Sequence, residues 1–236
     1  MSVIIGYKDK NGKVWMAGDR RVTQYTTIHD LPDSVSKIWD DNGVVYGGVG
    51  TLTEIQAMRF SHMVPAEAVE LDKVDAEFVY DMYPIYAQAA LEHKGIKLVD
   101  GHGYADFLVS EFLIGCNDRL FCLGQDGSVL EIDDFDAIGC AEDLVRGYIL
   151  GHQDEEDTEK LLRDAICFAA DRNNGISKDA IVYAPAELEP LMDLTDEQAE
   201  ALYKALDEKF GHQEPNEELK EMMQDEKGKK KKKSKE

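Results

Sequence analysis

The 236-residue chain lacks the local patterns by which many enzymes are identified. It has no glycine-rich phosphate-binding loop, no H-E-x-x-H zinc motif and no G-x-S-x-G nucleophile turn, and its six histidines are scattered without the spacing of metal ligands. The sequence therefore predicts no metal and no cofactor. Its chemistry has to be sought at the start of the chain, where a serine opens a buried strand.

Cysteine is scarce, and no two of the four cysteines form a C-x-x-C pair. They lie within apolar runs, which is typical of buried thiols in a reducing cytoplasm rather than of disulfides or zinc ligands. No apolar run approaches the roughly 20 residues of a membrane span, and the first residues do not form a basic region followed by a sustained apolar stretch. We expect a soluble cytoplasmic protein whose thiols are reduced, at Cys116, Cys122, Cys140 and Cys167.

Basic residues are few, 26 against 48 acidic ones, and the formal net charge is −22. Residues 226–236 hold seven lysines and two acids, so the rest of the chain carries −27. A body of that charge repels phosphate backbones and anionic lipid surfaces. The charge balance predicts neither nucleic acid nor membrane as a partner.

The chain opens with two short apolar runs, residues 3–7 and 14–18, that flank Asn11-Gly12. Asn-Gly is a strong hairpin signal because both residues tolerate positive φ. Apolar residues occur on both faces of each run, which indicates burial between layers. We therefore expect a central β-hairpin.

Strands and helices then follow in blocks rather than in alternation, which favours an α+β fold with two antiparallel sheets covered by helices. Thr51 and Glu54 form the pattern of a capping box at a helix start, and Pro84 is expected to kink or split the next helix. The expected strands are residues 35–39, 44–49, 107–115, 119–123, 128–132 and 180–183, and the expected helices are residues 52–63, 74–93, 142–151 and 157–172.

The C-terminal part differs in composition from the rest. Residues 1–190 are expected to form one domain, and residues 191–212 one amphipathic helix with Leu202, Leu206 and Phe210 on one side. Residues 213–236 are dense in charge and include five consecutive lysines, so we expect a disordered tail. A solvated appendage is the favoured interpretation, and a docking or nucleic-acid element is the alternative.

Six short segments stand out together by their order and spacing: SVIIG at residues 2–6, AGDRRVT at 17–23, KI at 37–38, GGVGT at 47–51, AIGC at 137–140 and DRNNG at 171–175. In this order and spacing they resemble the proteasome β-subunit family, including the proteolytic subunit of the bacterial ATP-dependent two-ring protease. The resemblance covers about residues 2–184 and implies a four-layer αββα sandwich of two antiparallel sheets flanked by helices, the N-terminal-nucleophile hydrolase fold.

The resemblance also implies roles for individual residues. Ser2 stands at the nucleophile position, which is normally threonine, Asp19 and Lys37 stand at the family's charged pair, and Gly50 stands at the oxyanion-hole amide. Thr23 and Gly50 would pair with the substrate backbone. Supporting positions fall on Arg21, Cys140, Asp171 and Asn174.

A terminal serine has a chemical rationale apart from the resemblance. A hydroxyl is a weak nucleophile without an adjacent base, and a chain-terminal amine with an ordinary pKa of about 7.7–8.0 can be that base. A nearby Lys37 ammonium would lower the pKa of that amine, and Asp19 would keep Lys37 charged and oriented. The chemistry requires removal of Met1, which is expected because serine is small.

Three functions remain open at this level. The first is a peptidase subunit that cuts unfolded polypeptide inside a homo-oligomeric ring fed by an ATP-dependent unfoldase. The second is a catalytically inactive structural subunit of a ring or shell, and the third is a related amidohydrolase that acts on a small amide.

Each single residue also has a simpler interpretation. Ser2 could be an ordinary frayed terminus and Lys37 an exposed strand residue. The residues from Asp19 to Arg21 could make only surface ion pairs, and Gly50 could serve a tight bend.

Overall fold

The structure, a computed structural model, describes residues 2–24, 26–41, 43–61, 74–95 and 108–184. The strands in these ranges are β1 (Val3–Lys8), β2 (Val14–Asp19), β3 (Arg21–Gln24), β4 (Thr27–Asp30), β5 (Ile38–Asp41), β6 (Val44–Val49), β7 (Glu111–Cys116), β8 (Arg119–Leu123), β9 (Val129–Ile132), β10 (Phe135–Gly139) and β11 (Ala180–Tyr183). The helices are α1 (Leu52–Phe60), α2 (Ala76–His93), α3 (Glu142–Gly151) and α4 (Thr158–Ala170), and Asp33–Val35 is a short 3-10 helix.

All described strand pairs are antiparallel, as the α+β prediction requires. One sheet has the order β10-β1-β2-β11, a second has the order β5-β6-β7-β8-β9, and β3 pairs with β4 alone. The hairpin of β1 and β2 is therefore central in its sheet, as its two-sided apolar pattern predicted.

The turn of that hairpin follows from its sequence. The Asp9 carboxylate accepts hydrogen bonds from the amides of Asn11 (2.8 Å) and Lys13 (2.9 Å), and Gly12 takes a φ of +79°. An aspartate that bonds backbone amides two and four residues ahead stabilises a tight turn, and glycine supplies the left-handed residue at little cost.

Three apolar clusters form the core, one between the two sheets and one on the outer face of each sheet. One packs α1 and α2 against the five-stranded sheet, with Ile55, Val79 and Phe112 among its members. A second joins the two sheets through residues such as Ile4 and Leu113. The third packs α3 and α4 against the four-stranded sheet. Both sheets are thus apolar on two faces, and the start of β1 lies where the sheets meet.

The structure differs from the sequence predictions at several elements. Residues 35–37 are not in a strand, because β5 begins at Ile38. β3, β4 and β10 were not predicted. Helix α2 is not split at Pro84, where a kink or a split was expected. Cys140 is exposed, although a buried thiol was expected.

The predicted helix at residues 191–212 and the predicted tail at residues 213–236 lie outside the described residues. None of the helices within the described ranges is long and apolar enough to span a membrane.

Candidate active site around Ser2

Ser2 lies just before β1 and is held there by backbone contacts. Its carbonyl oxygen accepts a hydrogen bond from the amide of Cys140 at 3.0 Å, and the next amide, that of Val3, donates to Asp19 Oδ1 at 3.0 Å. Gly139 has a φ of +105°, and a Cβ on it would collide with the Ser2 carbonyl oxygen. Only glycine lets β10 approach this closely, so the backbone of Ser2 is fixed from both sides.

Lys37 connects Ser2 to the interior. Its Nζ donates hydrogen bonds to Ser2 Oγ at 2.9 Å, to Asp19 Oδ1 at 2.7 Å and to the carbonyl oxygen of Arg21 at 2.9 Å. An ammonium group has three hydrogens, and these three acceptors match them. The side chain is only 2% exposed, so Lys37 is not a surface strand residue.

Asp19 is the anion behind Lys37, and its side chain has no exposed surface. Besides Lys37 and Val3 on Oδ1, it accepts from the amides of Arg21 (2.8 Å) and Ser177 (3.3 Å) on Oδ2. A buried carboxylate is tolerated when it is paired and its oxygens are hydrogen-bonded. These donors orient Asp19 and thereby Lys37.

The electrostatics of Lys37 result from two opposing effects. Burial lowers the pKa of the ammonium below its ordinary value, because the charged form loses its hydration. The charge of Asp19 and the hydrogen bond to it act in the opposite direction and favour the protonated form. The net effect is a lowered pKa.

Gly50 and Thr23 lie with Ser2 and Lys37 around one cavity of about 370 Å³, which Leu52 also lines. Gly50 has a φ of +132°, a conformation that side chains rarely adopt. Thr23 Oγ1 is a buried oxygen with no hydrogen-bond partner among the described residues. The cavity therefore combines a hydroxyl, a buried cation and polar atoms at one place.

The positions expected to support the site are distributed differently. Arg21 donates to the carbonyl oxygens of Asn174 (3.0 Å) and Ile176 (3.1 Å) and pairs with Asp30, so it anchors the segment after α4. Asn174 contributes this backbone oxygen. Asp171 caps α4 and pairs with Lys178 on the surface.

Cys140 is next to a residue that the sequence analysis missed. The Asn173 amide nitrogen lies 3.5 Å from the Cys140 carbonyl oxygen and 3.6 Å from its sulfur. Asn173 is one residue from the expected Asn174 and two from Asp171, so the local segment was identified but not the side chain.

Ser110 was also missed, and it is buried against Gly50. No local pattern marks Ser110. Glu54 was assigned to the capping box, but its carboxylate accepts from the Val109 amide instead, so only the Thr51 hydroxyl half of the box forms, with the Glu54 amide as donor.

No cluster of three or more His, Cys, Asp or Glu side chains that could hold a metal ion occurs in the described part of the chain. Within the same ranges, the groups around Ser2 include the Lys37 ammonium, the Asp19 carboxylate, threonine hydroxyls and backbone amides. Such a set can move a proton and stabilise an oxyanion.

No protein-family model matches the sequence, and no curated protein sequence matches it. Solved structures do match. BPH from Thiobacillus denitrificans in complex with epoxomicin is 17% identical with a TM-score of 0.62, over 79% of this chain and 100% of that one. Anbu, the ancestral beta-subunit, from Yersinia bercovieri is 15% identical with a TM-score of 0.55, over 91% and 98%. Eukaryotic HslV from Trypanosoma brucei is 19% identical with a TM-score of 0.51, over 77% and 97%.

Proposed function

The chain has a proteasome-like N-terminal-nucleophile hydrolase fold, as the resemblance predicted, and from this premise we propose that it is a peptidase whose nucleophile is Ser2 after removal of Met1. The observation that carries the proposal is the contact of a buried lysine with the serine hydroxyl, Nζ to Oγ 2.9 Å, at the wall of a cavity. This contact places a positive charge one hydrogen bond from the hydroxyl that would act as the nucleophile.

In the proposed reaction the free α-amine of Ser2 takes the proton of its own hydroxyl. Oγ forms a bond to the peptide carbonyl carbon, and the carbonyl oxygen becomes an oxyanion to which the Gly50 amide donates. The amine then gives its proton to the leaving nitrogen as the C–N bond breaks. A water molecule, deprotonated by the same amine, then forms a bond to the ester carbonyl carbon. The C–Oγ bond breaks, Oγ takes the proton back from the amine, and the new carboxylic acid leaves.

Lys37 and Asp19 set the conditions for this transfer. The Lys37 ammonium, one hydrogen bond from Oγ, stabilises the developing alkoxide and lowers the pKa of the neighbouring amine, so that more of the amine is unprotonated near neutral pH. Asp19, with four donors on its carboxylate, keeps Lys37 in place. Thr23 and Gly50 would hold the substrate backbone at the cavity.

The proposal extends to architecture and substrate. The three apolar clusters support a four-layer αββα sandwich. We propose that copies of this sandwich form a cytoplasmic homo-oligomeric ring, that unfolded polypeptide is the substrate, and that an ATP-dependent unfoldase delivers it.

The test uses three forms of the protein. A chain that starts at Ser2 should hydrolyse short fluorogenic peptides, and Ser2→Ala should reduce kcat by about a thousandfold or more because the nucleophile is gone. A chain with an extension ahead of Ser2 keeps the hydroxyl but blocks the amine, and it should be inactive until a protease removes the extension. Equal rates for the free-serine form and either control would contradict the mechanism.

A structural subunit with an unused site is the second candidate, and the position of Asp171 favours it. The resemblance gives this residue a supporting role, yet it pairs with Lys178 on the surface. The intact mass of the native protein separates the two functions, because retained Met1 blocks the amine and identifies the scaffold, whereas a chain that begins at Ser2 has the group that catalysis needs.

A further inference from the structure

Two side chains connect the start of α1 to the segment before β7, and each accepts a hydrogen bond from a backbone amide of the other segment. Ser110 Oγ accepts a hydrogen bond from the Thr51 amide at 3.1 Å, and both carboxylate oxygens of Glu54 lie 3.2 Å from the Val109 amide. Ser110 has no exposed surface, and Glu54 is 4% exposed. Because both side chains are buried, water competes less for these contacts than it would at the surface.

Ser110 also packs directly against Gly50. A Cβ on Gly50 would collide with Ser110 Oγ and would be 2.6 Å from Ser110 Cα. The same residue therefore contacts Gly50 at its Cα and fixes the peptide that follows Gly50 through the Thr51 amide. Glycine has the widest range of φ and ψ angles of any residue, and the contact with Ser110 restricts that range at Gly50.

A loose glycine is unsuited to an oxyanion hole. The donor must lie about 2.7–3.1 Å from the place where the oxyanion forms, and it contributes most when it needs no reorganisation during the reaction. In a capping box the Thr51 amide would donate a hydrogen bond to the Glu54 carboxylate within α1, but here that carboxylate accepts from the Val109 amide instead.

We propose that Ser110 is a positioning residue for the Gly50 amide, and that Glu54 holds the Ser110 segment at the distance this requires. The inference rests on the proposed function, in which Gly50 donates to the oxyanion. Ser110 is not among the residues that line the cavity, so we do not expect it to touch the substrate. Its effect is expected on the transition state and not on substrate binding.

The test compares Ser110→Ala with Ser61→Ala in the chain that begins at Ser2. Ser61 Oγ bonds the carbonyl oxygen of Ala57 at the other end of α1, so it is a matched loss of one serine hydrogen bond. Ser110→Ala should lower kcat about tenfold with KM within about twofold, and the Ki of a peptide aldehyde, which forms a tetrahedral adduct, should rise by the same factor. The Ki of the corresponding peptide alcohol should not change.

A second readout does not depend on activity. Hydrogen exchange at the Thr51 amide should be about tenfold faster or more in Ser110→Ala than in wild type or Ser61→Ala. If the wild-type chain is inactive but this exchange increases, the proposed function fails and the positioning of the Gly50 segment stands. If Ser110→Ala does not fold, Ser110→Cys keeps the volume with a weaker acceptor and should show the same pattern at smaller size.

Three results would overturn the proposal: unchanged kcat and aldehyde Ki in a folded variant, a loss that appears in KM alone, or unchanged exchange at Thr51. Each of them would assign Ser110 to packing only.

Discussion

Lys37 and Asp19 are buried as a pair, with side-chain exposures of 2% and 0% and Nζ and Oδ1 2.7 Å apart. Removing two charges from water costs several kcal/mol each, and their attraction offsets this cost only when the remaining hydrogen bonds are also made. Here both conditions hold, because Lys37 has two further acceptors and Asp19 three backbone donors. The pair is therefore sensitive to the loss of either member.

Asp19→Asn is expected to destabilise the fold by about 3–5 kcal/mol at pH 7, because it leaves a buried ammonium without its anion. In the variant the pKa of folded Lys37 falls further below the ordinary value of 10.5, since the charge that raised it is gone. At a pH between the lowered pKa of Lys37 in the folded variant and its ordinary pKa in the unfolded chain, the unfolded chain binds more protons than the folded one. The free energy of unfolding therefore rises with pH in this range. Urea unfolding at pH 7 and at about pH 9.5 should show the variant recovering part of its loss.

The control for this prediction is Asp19→Asn in a Lys37→Met background. Without the lysine, no ammonium at this place titrates between pH 7 and the ordinary lysine pKa, so the effect of Asp19→Asn on stability should no longer shrink as pH rises. A single-variant penalty that stays constant with pH would contradict a buried, charged Lys37.

At the scale of elements, the two sheets pack closely because glycines stand where side chains would collide. A Cβ on Gly47 in β6 would lie 2.5 Å from Ile4 Cγ2 and 2.6 Å from Met16 Sδ, both on the opposite sheet. Ile4 lies in β1, two residues after Ser2, so this packing also helps to fix the start of the strand that carries the candidate nucleophile.

Gly47→Ala is expected to destabilise the protein by about 1–3 kcal/mol, because a methyl group at this place forces side chains or strands apart. Gly147→Ala is the matched control. Gly147 lies in the interior of α3 with nothing within 4 Å of an added Cβ, so alanine should stabilise the helix by up to about 1 kcal/mol. Chemical unfolding of both variants measures the difference, and equal effects of the same sign would contradict the glycine contact.

The sequence predicted the elements whose signals are local. The β1–β2 hairpin has its apolar runs and turn residues within a few positions, α3 and β11 are marked by short apolar segments, and the positions of all three agree with the structure. β10 was missed because Asp136 interrupts its short apolar run. That charge is accommodated by Arg146 of α3, whose Nε lies 2.8 Å from Asp136 Oδ1, a contact between residues ten apart that no strand pattern contains.

Pro84 shows how packing can oppose a local preference. A proline costs a helix one hydrogen bond, which favours a kink or a split, but α2 is not split and carries buried Val79, Ala87 and Leu91 on both sides of Pro84. The packing of both halves in the same apolar cluster outweighs the local preference.

The candidate site likewise contains some residues that the sequence marks and others that only long-range contacts bring into place. The structure brings together Ser2, Lys37 and Gly50 at one cavity, with Asp19 behind Lys37. Ser110 could not be anticipated, because its relation to Gly50 depends on the separation of 60 residues closed by the pairing of β6 with β7. A side chain that positions another residue, as we propose for Ser110, is not marked by a local sequence motif.

At the scale of the whole molecule, the dominant physical property is negative charge. The chain carries −22 in total and −27 without residues 226–236. If copies assemble into a ring, as we propose, they repel one another over distances of about a Debye length, which is roughly 8 Å at physiological ionic strength. The lysines at residues 229–233 reduce this repulsion because they lower the net charge of each copy.

Replacing these five lysines by glutamine takes the chain from −22 to −27 and should weaken assembly at about 20 mM salt, where repulsion is little screened. Replacing them by arginine keeps the charge and should leave assembly unchanged. Sedimentation velocity over a concentration series gives the assembly constants, and the difference between the two variants should disappear near about 500 mM salt. A glutamine variant that dissociates equally at both salts would indicate a specific contact of the lysines, and a wild-type monomer under all conditions would contradict the ring itself.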